Sequence, residues 1–227
     1  NRETSPFALQ LSRLRSDVLS IRELVALGQE APAHSLARVF VDGVELAMAL
    51  AEDPAFAVAY READDESEFW KQQIGYGRIY RLVERFLRRG GGSAVEAKEH
   101  IDRHREVKNA LSGHVHIAHW SAFRSGVVPS ISQPGMLQIR SIGALSAHFP
   151  RLCLLIADES HRFGACCINA FIKPNPPSVF AGYKPTSKLQ DVVASAHVLQ
   201  ELILRHSAEL QRMSDRLFEH GSGEGAT

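Results

Sequence analysis

Residues 189–217, LQDVVASAHVLQELILRHSAELQRMSDRL, decide the fold class. Leu189, Val192, Ala196, Leu199, Ile203, His206, Leu210, Met213 and Leu217 recur at alternating spacings of three and four. That is the period of an amphipathic helix, sustained here for about eight turns. The same period runs through most of the chain. Phe7, Leu11, Leu14, Val18, Ile21 and Val25 predict a first helix, with Gly28 and Pro32 punctuating its end. Leu36, Val39, Gly43, Leu46 and Leu50 predict a second over residues 35–52, and Asp53-Pro54 marks a break after it. Residues 54–89 form a third helical region with Phe69, Tyr76, Tyr80, Val83 and Leu87 turned inward and Trp70 in the core. Gly90-Gly91-Gly92-Ser93 is then an interhelix turn.

A fourth helix is predicted from about residue 93 to residue 119. It is followed by a loop over 121–135 with Gly126, Pro129 and Pro134, in which short extended pieces can form. Helical period resumes at Ile142, Leu145, Phe149, Leu152 and Ile156, with Pro150 expected to kink or divide the segment. Residues 173–177, KPNPP, form a second loop, closed by Tyr183-Lys184-Pro185. The expected architecture is an all-α, antiparallel bundle of six or seven helices, with residues 1–220 as a single domain and a Gly- and Ser-rich tail over 221–227.

Composition narrows the class of function. The chain has 227 residues, and 26 Lys+Arg balance 26 Asp+Glu. A neutral total excludes binding of nucleic acid by bulk charge. The longest apolar candidate, residues 152–157, falls far short of the ~18 residues of a membrane span, so no membrane association is expected. No signal segment opens the sequence, and three cysteines, two of them adjacent (Cys166, Cys167), cannot build a disulfide framework. A reducing cytoplasm is therefore the expected location. The neutral total conceals two segments of opposite sign. Residues 52–68 hold seven Asp/Glu and one Arg, while residues 78–108 hold nine Lys/Arg and five Asp/Glu. The second is either a local nucleic-acid face or a salt-bridged helix surface.

The histidines are the compositional anomaly: five of the 11 fall between His100 and His119. On one helix, His100, His104, Val107, Leu111, His114 and Ala118 share a stripe in register with the apolar seam. Buried rings there must find hydrogen bonds. Arg105, Asn109, Ser112, His116 and His119 share a second stripe, about 120° away. These residue types can hold a phosphate and move protons. A metal site using every histidine is excluded by geometry, since His104 and His114 lie ~15 Å apart along a helix axis. His100 with His104, or His116 with His119, could each supply two ligands to a site completed from another helix. No phosphate loop, nucleophile elbow or paired-carboxylate signature is present, and no cofactor is expected.

Residues 105–116, REVKNALSGHVH, resemble the Leu-Ser-x-x-Val-His motif of a broad class of uncharacterised bacterial all-helical proteins, and residues 37–45, ARVFVDGVE, with Asp53-Pro54 and Tyr60, are similar to the first core helices of that class. The likeness covers about residues 35–120 and extends, more distantly, to the HEPN superfamily. That resemblance implies a metal-independent ribonuclease of a toxin or phage-defence system, with a site formed across a homodimer. RNA and a cognate antitoxin or other protein are then the implied partners. The HEPN signature pairs Arg and a polar residue with a later His. Its nearest counterparts here are Lys108-Asn109 with His114, or Asn109 with His116, so Lys108 stands where the family has Arg. Lys supplies a point charge in place of a two-pronged grip on phosphate. The candidate catalytic set is Arg105, Lys108, Asn109, Ser112, His114 and His116. A noncatalytic interaction bundle and a His-rich metal-binding protein are the alternatives.

Overall fold

The computed structural model describes residues 4–115, 127–129, 137–139, 149–180 and 186–221, with side chains over 6–112, 149–180 and 186–212. The fold is all-α. Among the described residues there are eight α-helices: α1 Thr4–Ala26, α2 Glu30–Glu52, α3 Pro54–Glu62, α4 Glu66–Phe69, α5 Tyr80–Arg89, α6 Ala94–Val115, α7 Phe149–Ile172 and α8 Ser187–Gly221. Two three-residue strands, β1 Val127–Pro129 and β2 Leu137–Ile139, pair antiparallel with Val128 opposite Gln138. No described helix is long and apolar enough to cross a membrane.

Helix α2 is the axis of the molecule. It packs against α1, α3, α5, α6 and α7, and Ala33, Ala37, Phe40, Val41, Val44, Ala47, Met48 and Leu50 on it are all buried. Small residues let neighbours approach closely. At Gly43 the Gln10 side chain donates to the carbonyl at 3.0 Å, and a Cβ there would sit 2.9 Å from Leu14 Cδ2. Helix α8 takes α7 as its principal partner.

The helix count exceeds the expected six or seven because residues 54–89 do not form one helical region. Asp53 caps α3, accepting from the Ala55 and Phe56 amides at 3.0 and 3.1 Å, and Asp65 recaps the chain by accepting from the Glu68 amide at 3.0 Å. The chain then passes through a π-turn, Trp70–Ile74, and a 3₁₀ turn, Gly75–Gly77, before α5. Trp70 and Tyr76 are consequently 50% and 85% exposed, not inward-facing as their spacing suggested. One proline reading is also corrected: Pro32 lies inside the first turn of α2, where the missing N–H has no partner to lose. Pro150 is the second described residue of α7, and the residues before Phe149 lie outside the described ones.

The Gly90–Ser93 turn forms as expected and leads into a capping box. Ser93 donates its amide to Glu96 Oε2 at 2.7 Å, and the Glu96 amide donates to Ser93 Oγ at 3.2 Å. Gly221 is the last described residue of α8, while Ile142, Leu145, the end of the fourth predicted helix and residues 183–185 and 222–227 lie outside the described residues.

Candidate functional site: a charged core behind an aromatic cleft

Helix α6 carries the candidate residues and presents them on two sides. Its inner side holds His104, fully buried between two carboxylates. His104 Nε2 lies 2.7 Å from Glu159 Oε2 of α7, and Nδ1 lies 3.2 Å from Glu45 Oε1 of α2. Since a carboxylate can only accept, both ring nitrogens donate and the ring is an imidazolium. Burial opposes that charge, but the hydrogen bonds and fields of Glu159 and Glu45 outweigh it and raise the His104 pKa above 6.5. Burial likewise opposes the Glu159 charge. The bond to His104 and the field of His104 and Arg103 overcome it and bring this carboxyl down to about 2.

The network continues in both directions. Arg103 meets Glu159 Oε1 at 2.5 Å and donates to Asp158 at 3.3 Å. Lys108 donates to Glu45 Oε2 at 2.7 Å and lies 3.3 Å from Asp42 Oδ1. His100 packs against His104 with ring centroids 4.1 Å apart and planes tilted by 40°, and its buried Nε2 has no hydrogen-bond partner among the described residues. Burial, reinforced by the positive charge of His104, Arg103 and Arg162, holds His100 neutral with a pKa of about 3. The seam histidines are therefore opposite in kind: one is charged and bonded, the other neutral.

On the outer side a cleft of about 370 Å³ opens between α2, the turns at Trp70–Gly77 and α6. Arg105, Lys108 and Asn109 line it together with Arg38, Tyr80, Tyr76 and Trp70. Tyr80 lies under both cations of α6, with the Arg105 guanidinium 4.6 Å and Lys108 Nζ 4.9 Å from its ring centre. Arg105 is about half exposed and anchored to Asp102 at 3.1 Å. The Lys108 side chain is only 12% exposed. Burial disfavours its charge, yet Glu45, Tyr80 and Asp42 raise its pKa above the ordinary value.

The structure thus brings three of the six candidate residues into one cleft. Ser112 turns back on its own helix, donating to the Lys108 carbonyl at 2.6 Å. His114 belongs to the last turn of α6, and His116 and His119 lie outside the described residues. The excess of basic residues over 78–108 is largely a salt-bridged surface. Arg89 grips Glu52 through two bonds at 2.7 and 2.8 Å, Arg85 reaches Asp53 at 2.9 Å, and Arg103, Arg105 and Lys108 have the partners given above.

A metal at His100 and His104 is disfavoured by chemistry, since both His104 nitrogens are occupied by carboxylates. No group of three or more His, Cys, Asp or Glu among the described residues is placed to hold an ion. The three cysteines are free thiols, and burial raises the pKa of each. Sequence reasoning missed Glu45 and Glu159, although a signal was present. Glu159 continues the seam Leu152, Ile156, Phe163 at spacings of four, three and four, and Glu45 sits amid the apolar run Phe40–Met48. A carboxylate at a core position implies a buried partner. No protein-family model matches the chain, and neither the curated proteins nor the solved structures contain a match to it.

Proposed function

We propose that the chain is a metal-independent endoribonuclease whose scissile phosphate binds at the mouth of the Tyr80 cleft. The observation that carries this reading is the convergence of Arg105, Lys108 and Asn109 on one cleft, with a half-exposed guanidinium at its edge. Arg105 would take the phosphate, since its guanidinium keeps donors free beyond the bond to Asp102. Lys108, held by two carboxylates, would act as a positioning residue that fixes Tyr80 beneath Arg105. Asn109 would donate to a phosphate or sugar oxygen. His114 and His116 are assigned the proton transfers. One takes the proton of the ribose 2′-hydroxyl as that oxygen attacks the neighbouring phosphorus, and the other protonates the departing 5′-oxygen as its bond to phosphorus breaks. The products are a 2′,3′-cyclic phosphate and a free 5′-hydroxyl, with no metal required.

Incubation of the purified chain with structured and unstructured RNA in EDTA tests the reading. Cleavage leaving cyclic phosphate ends is expected, with loss of activity in His114→Ala and His116→Ala and a drop of about 100-fold in Arg105→Ala. Absence of cleavage, or unchanged cleavage in both histidine variants, would overturn it. A homodimer, an antitoxin partner and a cytoplasmic, defence-related role accompany this proposal through the family resemblance. A second reading, a noncatalytic interaction bundle, is favoured by Val192, Val198, Leu202 and Leu204, which α8 leaves exposed. It expects no RNA cleavage and the capture of a protein partner that charged substitutions at Leu202 and Leu204 abolish.

A further inference from the structure

The segment between α4 and α5 is built in an unusual way for an ordinary connection. It runs through a π-turn, a 3₁₀ turn and then Tyr76, whose φ of 56° and ψ of 25° place a bulky residue in the left-handed region. Such a conformation is unfavourable for any residue with a Cβ and clusters where function requires it. Burial does not compensate, because Tyr76 is the most exposed of the large apolar side chains in the described chain. Gly75 and Gly77 shape the loop around it. A Cβ on Gly75 would lie 2.6 Å from Trp70 Cζ3, so the indole rests directly on the backbone, and Gly77 adopts a φ of 83°. The result is two exposed rings, Trp70 and Tyr76, edge to face with centroids 6.2 Å apart at the rim of the cleft. Arg78 lies 5.6 Å from the Tyr76 ring and is tied back by its bond to the Lys71 carbonyl.

The geometry points to Trp70 and Tyr76 as a stacking platform for an unpaired base of single-stranded RNA, beside the phosphate position at Arg105. This inference rests on the proposed ribonuclease reading and names how its substrate is held. A flat base stacks on an exposed aromatic face whatever its identity, while Arg105, and Arg38 beside its partner Asp42, line the same cleft. A volume of about 370 Å³ is in the range of small-ligand clefts and suits one nucleotide at a time. Base-paired RNA, whose bases are already stacked on each other, offers the platform nothing.

Tryptophan fluorescence tests this directly. Replacing the chain's other tryptophan, Trp120→Phe, leaves Trp70 as the only indole, and the protein is titrated with short oligo(rA), a duplex of the same length and inorganic phosphate. Saturable quenching by the single strand is expected, with at least a 10-fold weaker response to duplex and none to phosphate. Tyr76→Ala should weaken single-strand binding by roughly 10-fold or more. If Trp120→Phe does not fold, fluorotryptophan labelling of the unaltered chain and fluorine NMR follow Trp70 separately. Cleavage that persists with Trp70 and Tyr76 unaffected by RNA would overturn the platform alone and leave the ribonuclease reading standing. Quenching without cleavage would sink the enzyme and keep the platform. Quenching by a proline-rich peptide but by no oligonucleotide would overturn it in favour of a polypeptide ligand.

Discussion

His104 and Glu159 meet at 2.7 Å in a place where their side chains are 1% and 0% exposed, so an ion pair crosses the core between α6 and α7. Glu45 on α2 completes it from the other side at 3.2 Å. Three helices that are distant in sequence are thereby held in one register. Taking these charges out of water is costly, and the arrangement persists because each polar atom of the imidazole has a partner. Removing His104 would strip the buried donor from Glu45 Oε1 and Glu159 Oε2, leaving Lys108 and Arg103 on the other oxygen of each carboxylate.

His104→Ala should therefore be far more damaging than an ordinary cavity mutation on α6. It leaves Glu45 Oε1 and Glu159 Oε2 without their donor while Lys108 and Arg103 still hold the other oxygens, and a loss of about 3 kcal/mol is expected. Urea denaturation followed by circular dichroism measures it. A loss no larger than that of a surface substitution would mean that the imidazolium is not what joins α2, α6 and α7.

The same cluster sets how stability depends on pH. The raised pKa of His104 means that its contribution is fully present below about pH 6.5 and is lost as pH rises through the higher folded value. His100, lowered to about 3, acts in the opposite direction: its contribution is present above 6.5 and is lost as pH falls from 6.5 towards 3. Glu159, lowered from 4.5 to about 2, adds a second acid limb over that interval. Urea midpoints across pH should accordingly peak near 6.5 and fall on both sides. His104→Gln should abolish the alkaline decline, and a profile that is flat above pH 6.5 in the unaltered chain would contradict the imidazolium.

Much of this was legible in the sequence, and the limits have physical reasons. The three-four spacing identified the helices because burial of one helical face imposes that period. It correctly set His104 on a core seam, since Leu111 on the same stripe is also buried. The period could not distinguish His100 from His104. Their difference depends on carboxylates contributed by α2 and α7, far away along the chain. Tyr76 and Trp70 misled for a different reason. Their spacing is helical, but Gly75 and Gly77 permit a turn there, and in that turn neither ring faces the core. The cleft residues Arg105 and Asn109 were found because a polar stripe about 120° from the seam on a packed helix must lie outside it.

Gly43 offers a test of close packing between α1 and α2. A methyl group added there would meet Gln10 Nε2 at 2.8 Å and Leu14 Cδ2 at 2.9 Å, and Leu14 is buried. Gly43→Ala gains helix propensity but must displace the buried ends of Gln10 and Leu14, and with them the Gln10 bond to the Gly43 carbonyl. A net destabilisation of about 1–2 kcal/mol is expected by thermal or urea unfolding. A stabilised variant would show that the two side chains can move aside freely.

Tyr76 separates stability from function. Its left-handed backbone costs about 1–2 kcal/mol in a residue with a Cβ, and its exposed ring returns little packing in exchange. Tyr76→Gly removes that strain, although glycine also gains freedom in the unfolded chain and gives back about 0.5–1 kcal/mol of the benefit. The variant should be more stable by about 0.5 kcal/mol, read as a small increase in the urea midpoint. It should at the same time lose single-stranded RNA binding by at least as much as Tyr76→Ala. A residue kept only for the fold would show the reverse: lower stability on substitution and unchanged binding. Measuring both quantities on the one variant decides between them, because the strain and the proposed stacking surface belong to the same side chain.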